Sequence, residues 1–209
     1  MRNLFALIIA LLGSGVTQAA SAGPFEDSVA VYNRGDKATA VTILLPLAKS
    51  GDPKAQNQLG DFFYDGVDPN DARALGNCRR SNQCIMQDFG EAAKWYRLAG
   101  EQGYSPALMN LGALYMTGQG VLDYREAAKW FRLAAVKGVP EAQFWLGDLD
   151  WKLGDIIHGH VWVNIARAAG FDAAIPETFQ MESEMTPQQI LQAQDLALRC
   201  QQSSYQDCG

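Results

Sequence analysis

Histidine is almost missing from this chain, with only His158 and His160 among 209 residues. That scarcity removes most routes to imidazole acid–base chemistry and to histidine-based metal sites. The two stand two positions apart, a spacing that sends them to different sides of a helix. Both are expected to be partly exposed helix residues. The sequence also lacks a G-x-S-x-G elbow, S-x-x-K, K-T-G and H-E-x-x-H, so the common hydrolase arrangements have no anchor. Gly118-Gln119-Gly120 has no strand before it and reads as a structural link, not a phosphate cradle. No catalytic residue, metal ligand or cofactor is assigned, and the chain is read as a non-enzyme.

Basic runs are missing too. Lys and Arg number 17 against 23 Asp and Glu, for a net charge of -6. A surface of that sign repels phosphate backbones, so no nucleic-acid partner is expected. The long apolar run is confined to the start, where Leu4 to Leu12 reads LFALIIALL. It is shorter than the about 20 residues that a bilayer span needs. Arg2 precedes it, Gly13-Ser14-Gly15 breaks it, and Ala20-Ser21-Ala22 offers small residues. This is the layout of a secretory signal peptide. Residues 1–22 are expected to be cleaved after Ala22, leaving a periplasmic or secreted chain with no stable membrane insertion. The loss of Arg2 makes that chain one unit more acidic.

Cysteine is scarce, with Cys78, Cys84, Cys200 and Cys208 only. Export would place them where disulfides persist. Sequence alone does not choose among the possible pairings, and local pairing, Cys78 with Cys84 and Cys200 with Cys208, is the favoured one. The gap between Cys78 and Cys84 is too wide for the usual short zinc-ligand spacing.

What the chain has is self-similarity. Glu91-Ala92-Ala93-Lys94-Trp95-Tyr96-Arg97-Leu98-Ala99 returns 35 residues later as Glu126-Ala127-Ala128-Lys129-Trp130-Phe131-Arg132-Leu133-Ala134. A second unit recurs in phase: Ala55 to Gly60, Ala107 to Gly112 and Ala142 to Gly147. Val161 to Ala166 is a third, looser copy of the first unit. Ala92, Trp95, Tyr96 and Ala99 form one helical stripe, as do Ala107, Leu111 and Tyr115. Gly103, Gly138 and Gly170 sit where a helix ends in the left-handed region. Pro106 and Pro140 sit where the next helix begins. Each period is therefore a pair of short antiparallel helices, which must stack on neighbours to bury an apolar face.

The stretch ALMNLGALYMTGQGV followed by DYREAAKWFRLAAVKG, Ala107 to Gly138, resembles the Sel1-like repeat family. The resemblance implies an all-α, right-handed α/α superhelical solenoid of tetratricopeptide-like helix pairs with a C-terminal capping helix. The array is expected over 23–170, with a divergent first repeat at 25–51 and a last repeat at Asp155 to Gly170. Residues 171–209 are expected to hold the cap helices and a cysteine-bearing tail. Thr186-Pro187-Gln188-Gln189 reads as a capping box that opens the terminal helix. An insertion at about 66–88 carries Cys78, Cys84, Arg73, Arg79 and Arg80. It reads equally as a binding loop or as a tolerated surface loop.

The recurrent Trp95, Trp130, Trp162, Tyr115 and Phe131 keep one phase and are expected in the core. Trp145 replaces the polar Gln58 and Asn110 at its site, and Trp151 stands where Tyr64 and Met116 stand. Each reads as an interface anchor or as packing against the cap. The family binds proteins or peptides through a concave face, which the repeat phase would line with Gln58, Asp61, Asn110, Ala113, Trp145 and Asp148. The leading expectation is thus an interaction scaffold or envelope regulator with a protein or peptide partner. The alternatives are a cell-envelope enzyme acting on peptidoglycan or β-lactams, and a secreted effector or adhesin-like binder. Relatives associated with β-lactams carry paired cysteines in successive repeats, which this chain lacks.

Overall fold

The computed structural model describes residues 23–66, 84–120 and 122–208. The expected leader, Cys78 and the three insertion arginines lie outside the described residues. Among the described residues ten helices run in order: α1 (Pro24–Asn33), α2 (Lys37–Lys49), α3 (Pro53–Tyr64), α4 (Phe89–Glu101), α5 (Ser105–Thr117), α6 (Tyr124–Ala135), α7 (Pro140–Lys152), α8 (Ile156–Ala168), α9 (Ala174–Glu184) and α10 (Pro187–Gln202). No strand occurs among the described residues. These helices pack on their neighbours in turn, from α1 on α2 to α7 on α8, and make a solenoid.

Local chemistry sets the boundaries. An aspartate starts α2, α3, α4, α6 and α8, where Asp36, Asp52, Asp88, Asp123 and Asp155 each accept from a first-turn backbone N–H. Such a side chain satisfies donors that the helix cannot pair itself, worth about 1 kcal/mol apiece. Gly103 and Gly138, at φ of +80° and +78°, turn the chain out of the second helix of a pair. A side chain is strained at such φ, and glycine is not.

Within each pair a glycine on the first helix lets the second come close. A Cβ on Gly60 would lie 2.4 Å from the Tyr96 ring, one on Gly112 2.8 Å from the Phe131 ring, and one on Gly147 2.6 Å from the Val163 side chain. The same contact thus recurs three times. The pair-closing loop recurs as well. The Asp123 N–H donates to the Tyr115 carbonyl at 3.0 Å, and the Asp88 N–H to the Phe63 carbonyl at 3.0 Å. The chain after the insertion therefore returns to the end of α3, beside Gly66.

The apolar interior falls into three clusters. One joins α2 and α3, a small one lies between α4 and α5, and the largest runs from Leu108 to Cys208. Phe131 and Trp162 are fully buried, and each such ring contributes on the order of 2–3 kcal/mol. Trp95, Trp130 and Tyr115 are half-buried against the clusters, so the recurrent aromatics pack in the core as their phase suggested. Trp145 and Trp151 are half-buried against the largest cluster.

The C-terminal end closes as expected. Thr186 and Gln189 form the capping box, and Ala193, Leu196, Ala197 and Cys200 are the buried stripe of α10. Cys200 and Cys208 are bonded, with their Cα atoms 4.4 Å apart. Cys84 is not free either, while its expected partner Cys78 is outside the described residues. One expectation is corrected. His158 is half-buried, but His160 is fully buried, not partly exposed. Helix α8 touches α7, α9 and α10 at once, so its middle from Gly159 to Val163 is buried on every side. The His160 Nε2 sits 3.2 Å from a Glu182 carboxylate oxygen on α9. Burial depresses the imidazole pKa, against the pull of Glu182.

Candidate functional site

Six groove residues follow from the repeat phase, and the structure brings three of them together. Asp61 on α3 and Asn110 and Ala113 on α5 line a cavity of about 270 Å³. Tyr64, Asp65 and Tyr96 complete its wall. Gln58, Trp145 and Asp148 are not part of that wall. Gln58 and Trp145 are half-buried, and Trp145 stacks edge-on against Phe144, with ring centroids 5.0 Å apart.

Asp61 organises the floor. Its Oδ1 accepts from the Tyr96 hydroxyl at 2.9 Å and from the Asn110 amide at 3.1 Å. Its Oδ2 accepts from the Asn57 amide at 3.2 Å. Asn110 also donates to the Asn57 side-chain Oδ1 at 3.1 Å. Three donors from three helices thus converge on one carboxylate. Nearby, Gln102 donates to Gln56 at 2.7 Å, and Gln56 donates to the Ala48 carbonyl at 3.0 Å. The seam between the first two apolar clusters is therefore polar.

Among the described residues, no Lys, Arg or His forms an ion pair with Asp61 or Asp65. Lys37 comes near, but its ammonium donates to the Asp65 backbone carbonyl at 2.8 Å and lies over the Tyr32 ring. Burial pushes the Asp61 pKa up; the Tyr96 hydroxyl opposes that, and the Asp65 charge adds to it. The Tyr96 phenol is also driven up, first by burial and then by Asp61. Tyr32 rises to about 12 from burial, with Asp65 and Asp61 adding to it.

Asp148 behaves differently. It is buried and holds the Lys152 ammonium at 2.7 Å. Sequence reasoning counted it as a groove charge and missed Asp65, Tyr64 and Tyr96. The signal was in the repeat register. Asp65 stands where Lys152 stands two repeats on, and Tyr96 stands where Phe131 stands. Among the described residues no group of three His, Cys, Asp or Glu could hold a metal.

The profile of the Sel1 repeat matches residues 53–83, 75–104 and 105–139. The chain carries three Sel1 repeats over residues 53–139. The divergent first unit and the looser last one lie outside the matched Sel1 segments. A Sel1 repeat protein from Oxalobacter formigenes superposes with a TM-score of 0.57 at 23% identity, covering 74% of this chain and 59% of that one. A protective antigen of uropathogenic Escherichia coli with an SLR fold gives 0.53 at 22% identity, over 87% of this chain and 46% of that one. This chain thus spans 59% of the length of the first and 46% of the second. Likeness at that identity establishes the Sel1 solenoid only. No curated protein matches the chain.

Proposed function

We propose that this chain is an exported, non-catalytic scaffold that holds a protein or peptide partner along the face formed by α3, α5 and α7. Sel1 repeats commonly serve as protein–protein interaction scaffolds. The observation that carries the reading here is the cavity at Asp61, Asn110 and Ala113, whose acidic side chains have no ion-paired cation among the described residues. Half-buried Gln58 and Trp145 extend the same face.

Export rests on the apolar leader and on the Cys200–Cys208 bond, which suits an oxidising compartment. No described helix is long and apolar enough to cross a membrane. The chain just before α4 lies at the cavity's rim, since Gln87 donates to the Tyr64 carbonyl at 2.8 Å.

Photocrosslinking in the producing cell tests this. A crosslinker at position 58, 113 or 145 is expected to capture one discrete partner. A crosslinker at exposed position 168 on α8 is expected not to. Equal capture from all four positions, or none from any, removes the groove from the function.

A further inference from the structure

The cavity has an internal counterpart that says what it receives. In register, Asp61 and Asp65 correspond to Asp148 and Lys152. Both pairs are four residues apart, a spacing that sets two side chains side by side on a helix. At the third level the pair is an ion pair, with the Lys152 ammonium 2.7 Å from the Asp148 carboxylate. At the first level the ammonium is replaced by a second carboxylate, and a cavity of about 270 Å³ stands beside it. Two like charges at this spacing repel one another and destabilise a helix. Asp61 is compensated by three hydrogen bonds from uncharged donors, and among the described residues no cation is ion-paired with it.

The walls suit the same guest. Tyr64 lines the cavity, and an aromatic face attracts an ammonium or guanidinium group. The volume falls below the roughly 300–1,000 Å³ of pockets for drug-sized ligands. It suits one side chain better than a cofactor. The second level offers no such charge, since Ala113 and Thr117 occupy the two positions.

We propose that the first-level cavity takes the cationic end of a Lys or Arg side chain presented by the protein partner, held between Asp65 and Asp61 against Tyr64. The contact stands where Lys152 stands in the third repeat, with the ammonium supplied in trans. It rests on the scaffold reading for its partner, and on the cavity alone for its chemistry.

The test is an amide NMR titration of the oxidised protein with four blocked hexapeptides, identical except for one central residue: Lys, Arg, norleucine or Glu. The Lys and Arg peptides are expected to shift the amides of Tyr64, Asp65, Asn110 and Ala113 with saturation. The norleucine and Glu peptides are expected to bind at least about tenfold more weakly. Asp65→Lys restores the third-level pattern and is expected to abolish the response. Asp65 is exposed, so the remaining spectrum reports an intact fold. Equal shifts from norleucine, silence from the Lys and Arg peptides, or binding that survives Asp65→Lys would overturn the proposal. The two readings fail separately. Undiminished crosslinking by Asp65→Lys leaves the scaffold and removes the cation site. A saturable Lys-peptide response without any crosslinked partner does the reverse.

Discussion

The first and second repeat levels share a backbone and differ in chemistry. At the first level Asn57, Asp61, Tyr96 and Asn110 form a closed polar network. At the second level the same register holds Met109, Ala113, Phe131 and Trp145. The change is concerted: the carboxylate acceptor becomes alanine just where the tyrosine hydroxyl becomes phenylalanine. A hydroxyl without its acceptor, or a carboxylate without its donors, would cost the full desolvation of a buried group. The solenoid geometry survives either filling because the close approaches of Gly60 and Gly112 set the helix spacing. Polar filling is thus a local choice that the fold does not require.

Removing the centre of the polar level is expected to cost most. Asp61→Ala leaves the Tyr96 hydroxyl and the Asn57 and Asn110 amides without their acceptor. At about 1–3 kcal/mol per unsatisfied buried group, reduced by the cavity's access to water, a loss of about 2–4 kcal/mol in urea unfolding follows. The equivalent position tests the comparison from the other side. Ala113→Asp should destabilise alone and recover in part when combined with Phe131→Tyr.

Next come the glycines. Gly60→Ala and Gly112→Ala each press a methyl group into a ring, for about 1–3 kcal/mol of overpacking. Gly60→Ala should cost more, because Tyr96 is tethered to Asp61 at 2.9 Å while Phe131 has no such hydrogen bond. Equal losses in thermal unfolding would show that the tether does not hold the ring.

The smallest effect belongs to the third level. Lys152 is largely exposed, so Lys152→Met should cost no more than about 1 kcal/mol, and less in high salt. A larger loss would mean that Asp148 needs its cation for folding, and the first level, which lacks one, would then need another account.

Much of this was legible in the sequence because it is local. The 35-residue phase, the turn glycines, the Thr186 capping box and the Cys200–Cys208 bond each depend on residues close in the chain. His160 was misplaced because its burial comes from α9 and α10, which no property of α8 announces. Half of the expected groove residues gathered at the cavity, since Asp61, Asn110 and Ala113 follow from register alone. Tyr96 escaped notice because it was read as a core aromatic. It is one, yet its hydroxyl reaches across to Asp61, a contact set by tertiary spacing. Lys152 was within reach of sequence reasoning, since the four-residue spacing from Asp148 is plain.

The central claim is that the first level holds a half-buried carboxylate with no ion-paired cation among the described residues. A pH titration of the Asp61 side-chain carboxyl carbon by NMR tests it directly. Its pKa is expected above the ordinary 3.8, from burial first and the Asp65 charge besides. The folded chain then holds that proton more tightly than the unfolded one. This group's contribution to stability is full below the ordinary carboxylate value and is lost as pH rises through the raised one. Asp65→Lys is expected to bring the value down. A pKa at or below 3.8 in the wild type, unmoved by Asp65→Lys, would contradict the claim.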